Sequence, residues 1–152
     1  MSDYRASIDH VLVHLFNDIL RIEENALWNS GVRELSMREI HILQAVEEAR
    51  AQNTMSAVAA QLHVTVGSLT VAVNTLARKG YLTRQRSAED KRRIHLLLTP
   101  KAEEVNRLHE AFHHQMTDAV MQAIPPEQLD LLCATLDNVT TYFQSQERNR
   151  KQ

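Results

Sequence analysis

Apolar and polar residues alternate along this chain with two different periods, and the change of period marks its parts. Over residues 3–28 Ile8, Val11, Leu12, Leu15, Ile19 and Ile22 recur at helical spacing, which predicts one long amphipathic helix ending near Asn29, Ser30 and Gly31. Ser36 followed by Glu39 has the form of a capping box opening a second helix, with Ile40, Leu43 and Val46 as its inward face. A polar stretch, 47–54, leads to a short helix built on Ala57, Val58, Ala60 and Leu62, then to a tight turn. Thr65 is placed to cap a further helix over 66–79 that turns Leu69, Val73 and Leu76 inward, and Gly80 closes it. The period then drops to two. Residues 82–86 and 93–98, where Ile94, Leu96 and Leu98 alternate with Arg93, His95 and Leu97, read as two strands around the exposed tip SAEDKR. Thr99 and Pro100 open a long fifth helix, because proline fits the first helical position. Pro125 and Pro126 end it, and Leu129, Leu132, Leu136, Val139 and Phe143 stripe a sixth.

Two short helices across a tight turn, followed by a hairpin, make a unit that reads duplex DNA, with its second helix in the major groove. Charge supports this. Residues 78–93 hold seven basic side chains against Glu89 and Asp90, or +5, in a chain whose 17 basic and 19 acidic residues leave −7 everywhere else. Positive charge gathered on one hairpin attracts phosphate locally. On the recognition helix Ser68, Thr70 and Asn74 are short polar side chains suited to base edges or phosphates. Ser56, Thr65 and Lys79 complete the DNA face on the two helices. Gly67 has two readings: close approach of a phosphate to bare backbone, or tight packing against the supporting helix. On the hairpin Arg84 and Arg86 are expected to neutralise flanking phosphates, Arg93 belongs to the same DNA face, and Arg92 is the cation expected to enter a minor groove. Asp90 pairs a neighbouring arginine and holds the tip open for it.

Composition narrows the rest. At 152 residues with three Gly, three Pro and 43% hydrophobic residues, the chain reads as one mainly α-helical domain. The expected division is 1–34 and 100–147 as dimerisation helices around a winged helix-turn-helix at 35–99 with a two-stranded β wing. The first and last helices carry longer apolar stripes than such a wing domain needs, so a symmetric homodimer is expected to bury them. Lone Cys133, set among Leu131, Leu132 and Leu136, reads as an inert buried thiol. No apolar run approaches a membrane span, and MSDYRASIDH lacks a secretory pattern, so a cytoplasmic location without membrane contact is expected. No Gly-rich phosphate loop or nucleophile-elbow grouping supports an enzyme.

The ARKGYL junction, the D-x-R tip and the LTPK start of the fifth helix resemble the MarR family of winged-helix regulators over nearly the whole chain. The resemblance implies a triangular homodimer on a palindromic operator, usually a repressor, with an effector that changes the spacing of the recognition helices. Within the family, VTVGSLTVAVNTLARKGYLTRQRS, with SMREIHIL and RLHEAFHHQM on either side, is similar to the FabT subfamily, repressors of fatty-acid synthesis genes. There the implied corepressor is a long acyl group on acyl carrier protein, and the available apolar lining is Phe16, Ile19, Leu20, Ile42, Leu43, Phe112 and Met116. A second implication is zinc. His109 and His113, four apart, with His41 and the carboxylate of Glu24, resemble the ligand set of zinc-dependent repressors in the same family. Ser30 stands where that resemblance would place the thiol of a second site.

Overall fold

A computed structural model describes residues 2–150, with side chains from 4 to 146. Six helices and one hairpin follow in the expected order: α1 (Ser2–Asn29), α2 (Met37–Ala49), α3 (Met55–Gln61), α4 (Val66–Arg78), β1 (Leu82–Arg86), β2 (Ile94–Leu98), α5 (Pro100–Ala123) and α6 (Leu129–Arg150). Two 3-10 turns, Arg50–Gln52 and Pro126–Gln128, lie before α3 and α6. The fold is a winged helix-turn-helix with a two-stranded antiparallel wing, pairing Leu82 with Leu98 and Arg86 with Ile94. The chain divides into two compact units, 1–112 and 113–152, with the boundary inside α5.

In the first unit the core is gathered around α2, where Ile40, Ile42, Leu43, Ala45 and Val46 are all buried. Leu69, Val73 and Leu76 of α4, Leu82 of β1 and Leu96 of β2 close over it. In the supporting helix α3 the buried pair is Val58 and Ala59, not Ala60, which is exposed. One position of helical rotation separates these readings, and alanines give the hydrophobic pattern little power to choose. On α1, Glu23 and Leu27 face this core, while Ile8, Val11, Leu15 and Ile22 of the expected stripe stay exposed, Ile8 to 57%. In the second unit Leu129, Leu132 and Val139 of α6 are half-buried, and Leu136 and Phe143 are exposed. Cys133 is exposed as well, against the expectation of a buried thiol, and Leu131 and Leu136, the apolar neighbours expected to cover it, are themselves exposed.

The entry to α2 is tied down by charge. Ser36 and Glu39 form the capping box: Glu39 N donates to Ser36 Oγ at 3.3 Å and Ser36 N to Glu39 Oε2 at 2.8 Å. Burial opposes the Glu39 charge, but the Lys79 ammonium and the Ser36 donors outweigh it and hold the carboxyl below its ordinary value. Nearby, Lys101 and then Tyr81 donate to Glu34 at 2.6 Å each and lower its carboxyl too. This joins the first turn of α5 to the loop before α2. A carboxyl held low in the fold contributes stability that is present above its ordinary value of 4.5 and lost as pH falls through the lowered one. Glu39→Gln is therefore expected to lower stability at neutral pH by about 1 kcal/mol. Thermal melts should show the variant losing less than the parent chain on acidification from about pH 5 to pH 3.

Candidate nucleic-acid interface

Thr65 caps α4, its Oγ1 accepting from Ser68 N at 3.1 Å. This leaves the hydroxyls of Thr65 and Ser68 exposed at the first turn, 3.1 Å apart. Thr70 is half-buried and donates to Val66 O at 2.7 Å. Gly80 ends the helix in the left-handed region, φ 82°, where a side chain would be strained, and Tyr81 N returns to Leu76 O at 2.9 Å. With Leu69, Val73 and Leu76 inward, the outward face carries Gly67, Ser68, Val71 and Asn74.

Of the two readings of Gly67 the structure removes the packing one. A Cβ built there meets only Thr65 Oγ1, at 3.9 Å. Gly67→Ala is thus expected to raise the stability of the free protein by up to about 1 kcal/mol, from helix propensity alone. Where phosphate approaches this backbone, the same change weakens DNA binding. A thermal melt and a DNA titration of one variant separate the two effects.

The wing tip has the arrangement that exposes a cation. Asp90 Oδ1 accepts from Arg92 N at 3.0 Å, its backbone O accepts from Arg93 N at 2.9 Å, and its Oδ2 lies 3.6 Å from Arg93 Nε. The carboxylate is used inside the turn, and the Arg92 guanidinium meets no protein acceptor among the described residues. At the root of β1, Arg84 donates to Asn74 Oδ1 at 2.5 Å, fastening wing to recognition helix. Arg86 is exposed at the strand end. Between α3, α4 and the wing lies an open cleft of about 920 Å³, lined by Ser56, Thr70, Arg84, Arg92, Arg93 and His95 among others. The sequence expectations for Ser56, Thr70 and three arginines therefore meet on one surface.

Lys79 does not. Its ammonium donates to Glu39 Oε1 at 2.8 Å and to Glu34 O at 2.7 Å, so it serves the α2 cap rather than the cleft. The lysine follows an arginine in a basic run, and sequence alone cannot show that one of the two points backwards. Val71 was passed over. At 68% exposed it puts two methyl groups between Gly67 and Asn74 on the outward face, the chemistry that meets a thymine methyl. Its signal in the sequence is that it falls off the 69, 73, 76 stripe.

The histidine cluster is real but rotated by one residue. Glu24 is exposed, and it is Glu23 that is buried, its carboxylate hydrogen-bonded to His109 Nε2. Glu23 and His109 are each only 2% exposed. His41 Nε2 lies 3.8 Å from the same carboxylate oxygen, and its ring centroid is 5.6 Å from that of His109. His113 belongs to the second unit and is half-buried there. The apolar candidates scatter. Ile42 and Leu43 are core, Ile19 and Phe112 are half-buried, and Phe16 and Leu20 are exposed. Met116, in the second unit, is half-buried. Ile42 also lines a 250 Å³ pocket with Arg38, His41, Leu62, Val64 and Leu69.

A capped recognition helix, a supporting helix and a basic wing around one cleft define a winged helix-turn-helix DNA-binding protein. The pattern described as "MarR family" matches residues 35–94. FabT from Streptococcus pneumoniae, solved in complex with DNA, is similar at 33% identity over 93% of this chain and 98% of its own, with a TM-score of 0.82. The chain belongs to the MarR family and is a DNA-binding transcriptional regulator. MepR from S. aureus in its DNA complex shares the fold at 16% identity, covering 88% of this chain and 96% of its own, TM-score 0.72. BldR from Sulfolobus solfataricus does so at 20% identity, 93% and 98% coverage, TM-score 0.62. No curated protein sequence matches. Among the described residues no single helix is long and apolar enough to cross a membrane.

Proposed function

We propose that this chain is a homodimeric, cytoplasmic repressor of fatty-acid synthesis genes that binds a palindromic operator more tightly when a long-chain acyl-acyl carrier protein is present. The supporting observation is that the 33% identity with FabT extends over 93% of the chain, beyond the DNA-reading part into α1, α5 and α6. Exposed Ile8, Val11 and Leu15 on α1 favour a second copy, since a helix face of that kind is buried in a symmetric dimer. Two recognition helices about one helical turn apart then meet successive major grooves.

The test is a fluorescence-anisotropy titration of duplexes carrying fatty-acid synthesis promoters, with apo acyl carrier protein and with the same carrier bearing a long acyl chain. At least about tenfold tightening by the acylated carrier is expected, a coupling of the size ordinary effectors supply. Equal affinity with both carriers overturns the ligand assignment.

A second reading is zinc responsiveness, favoured by the meeting of the Glu23 carboxylate with the His41 and His109 imidazoles. Nitrogen and carboxylate donors suit this borderline cation. These residues would hold it. Zinc there would tie α1 to α2 and α5. Elemental analysis of protein purified without chelator checks this reading: stoichiometric zinc that tightens DNA binding supports it, and metal-free protein that binds promoter DNA unchanged on adding zinc removes it.

A further inference from the structure

The wing is joined to the body through Asn53 and His95. Asn53 lies in the link between α2 and α3; its Nδ2 donates to Leu96 O at 2.6 Å, and its backbone O accepts from Leu96 N at 2.9 Å. A backbone carbonyl can only accept, so the amide nitrogen must face Leu96 and the amide oxygen must face the other way. There Asn53 Oδ1 meets His95 Nδ1 at 2.8 Å. An amide oxygen also only accepts, so Nδ1 carries the ring proton and the tautomer is set. A β-bridge between Thr54 and His95 holds the two backbones together. Nε2 is left as the ring's remaining hydrogen-bonding atom, without a protein partner among the described residues.

His95 lines the cleft between wing and recognition helix. The charged groups facing it are Arg84 from β1 and Arg92 and Arg93 from the tip. The α2–α3 link, α3 and α4 bring only uncharged residues to this surface, and among the described residues no carboxylate lines it. Phosphate is the group that three guanidinium ions gather here.

We propose that His95 is a DNA-backbone contact: Nε2 takes a proton from solvent as the duplex binds and donates it to a phosphate oxygen, while Nδ1 continues to donate to Asn53. The inference rests on the DNA-binding reading and adds to it one ionisable contact per wing. The contact needs the second ring proton, so acid favours it and alkali removes it. Each cation that neutralises a phosphate steepens the fall of log K with log salt by about 0.9.

The experiment is anisotropy titration of the full chain with a mixed-sequence duplex of about 30 base pairs, over a salt series at pH 6 and at pH 8. Binding about tenfold tighter at pH 6 is expected, with the salt slope steeper by about 0.9 for each His95 engaged. His95→Gln should remove both differences, and His95→Lys should bind tightly at both pH values with one common slope. A His95→Gln variant that keeps the pH-dependent change in slope, or a parent chain whose slope is the same at both pH values, overturns the proposal. A parent chain that binds no duplex at low salt overturns the DNA-binding reading itself.

Discussion

Replacing Arg92 with alanine is expected to weaken DNA binding by about 1 to 3 kcal/mol, a loss of about five- to 150-fold, while leaving the oligomeric state unchanged. The expectation follows from how the tip is built. Asp90 accepts from the Arg92 and Arg93 backbone amides and sits beside the Arg93 side chain, so the turn holds its shape without the Arg92 side chain. The Arg92 guanidinium is thus presented to solvent at the end of a preformed loop, and little ordering cost remains when it enters a groove. Asp90→Ala, by contrast, should loosen the tip and weaken binding indirectly, with Arg92 still present. Gel-shift titrations of both variants beside sedimentation of the free proteins check the pair, and an Arg92→Ala affinity equal to that of the parent chain removes the wing-tip assignment.

Glu23→Ala is expected to destabilise the protein by about 3 kcal/mol, and Glu24→Ala, one residue along, by less than about 0.5 kcal/mol. Glu23 is buried against His109 and His41 at the point where α1 meets the core of the first unit. Removing its carboxylate takes away the group that His109 Nε2 holds and leaves a cavity beside Leu27 at the same time. Glu24 is exposed and makes no hydrogen bond or ion pair among the described residues. Denaturant unfolding of both variants measures the difference. Equal midpoints would mean that α1 is rotated from the position described. The same pair separates the ligand readings: zinc tightening of DNA binding should be lost in Glu23→Gln and kept in Glu24→Gln if this carboxylate is a ligand.

Much of the architecture was legible because it is decided locally. The Ser36 and Glu39 capping box, the Thr65 cap, the Gly80 stop and the Pro100 start each depend on residues within one turn of one another, and all four lie where the spacing placed them. The alternation of Ile94, Leu96 and Leu98 marked β2 to within one residue, since a strand's faces repeat every two positions. The concentration of cations on the wing was legible for a different reason. Charge is a property of composition, and it needs no coordinates to be counted.

What the sequence could not supply was helix rotation and side-chain direction. Glu24 and Glu23 differ by 100° around one helix, and α1 carries apolar residues on both its core-facing side and its exposed side, so periodicity alone left the choice open. Lys79 and Arg78 are equivalent in a list of charges, yet the fold sends the lysine to Glu39 because the α2 cap happens to pass beneath the end of α4. Asn74, expected at base edges or phosphates, is engaged by Arg84, ten residues on. Asn53 and His95 meet across 42 residues, a pairing that no local pattern encodes.

For this protein, then, the one-dimensional pattern was sufficient to determine the elements, their order and the concentration of positive charge on the wing, because caps, periods and charge act over a few residues. Tertiary structure alone decided which carboxylate joins the histidines, which lysine is withdrawn from the DNA face, and which histidine lines the cleft. Those outcomes depend on how segments distant in sequence are rotated against one another when the core closes.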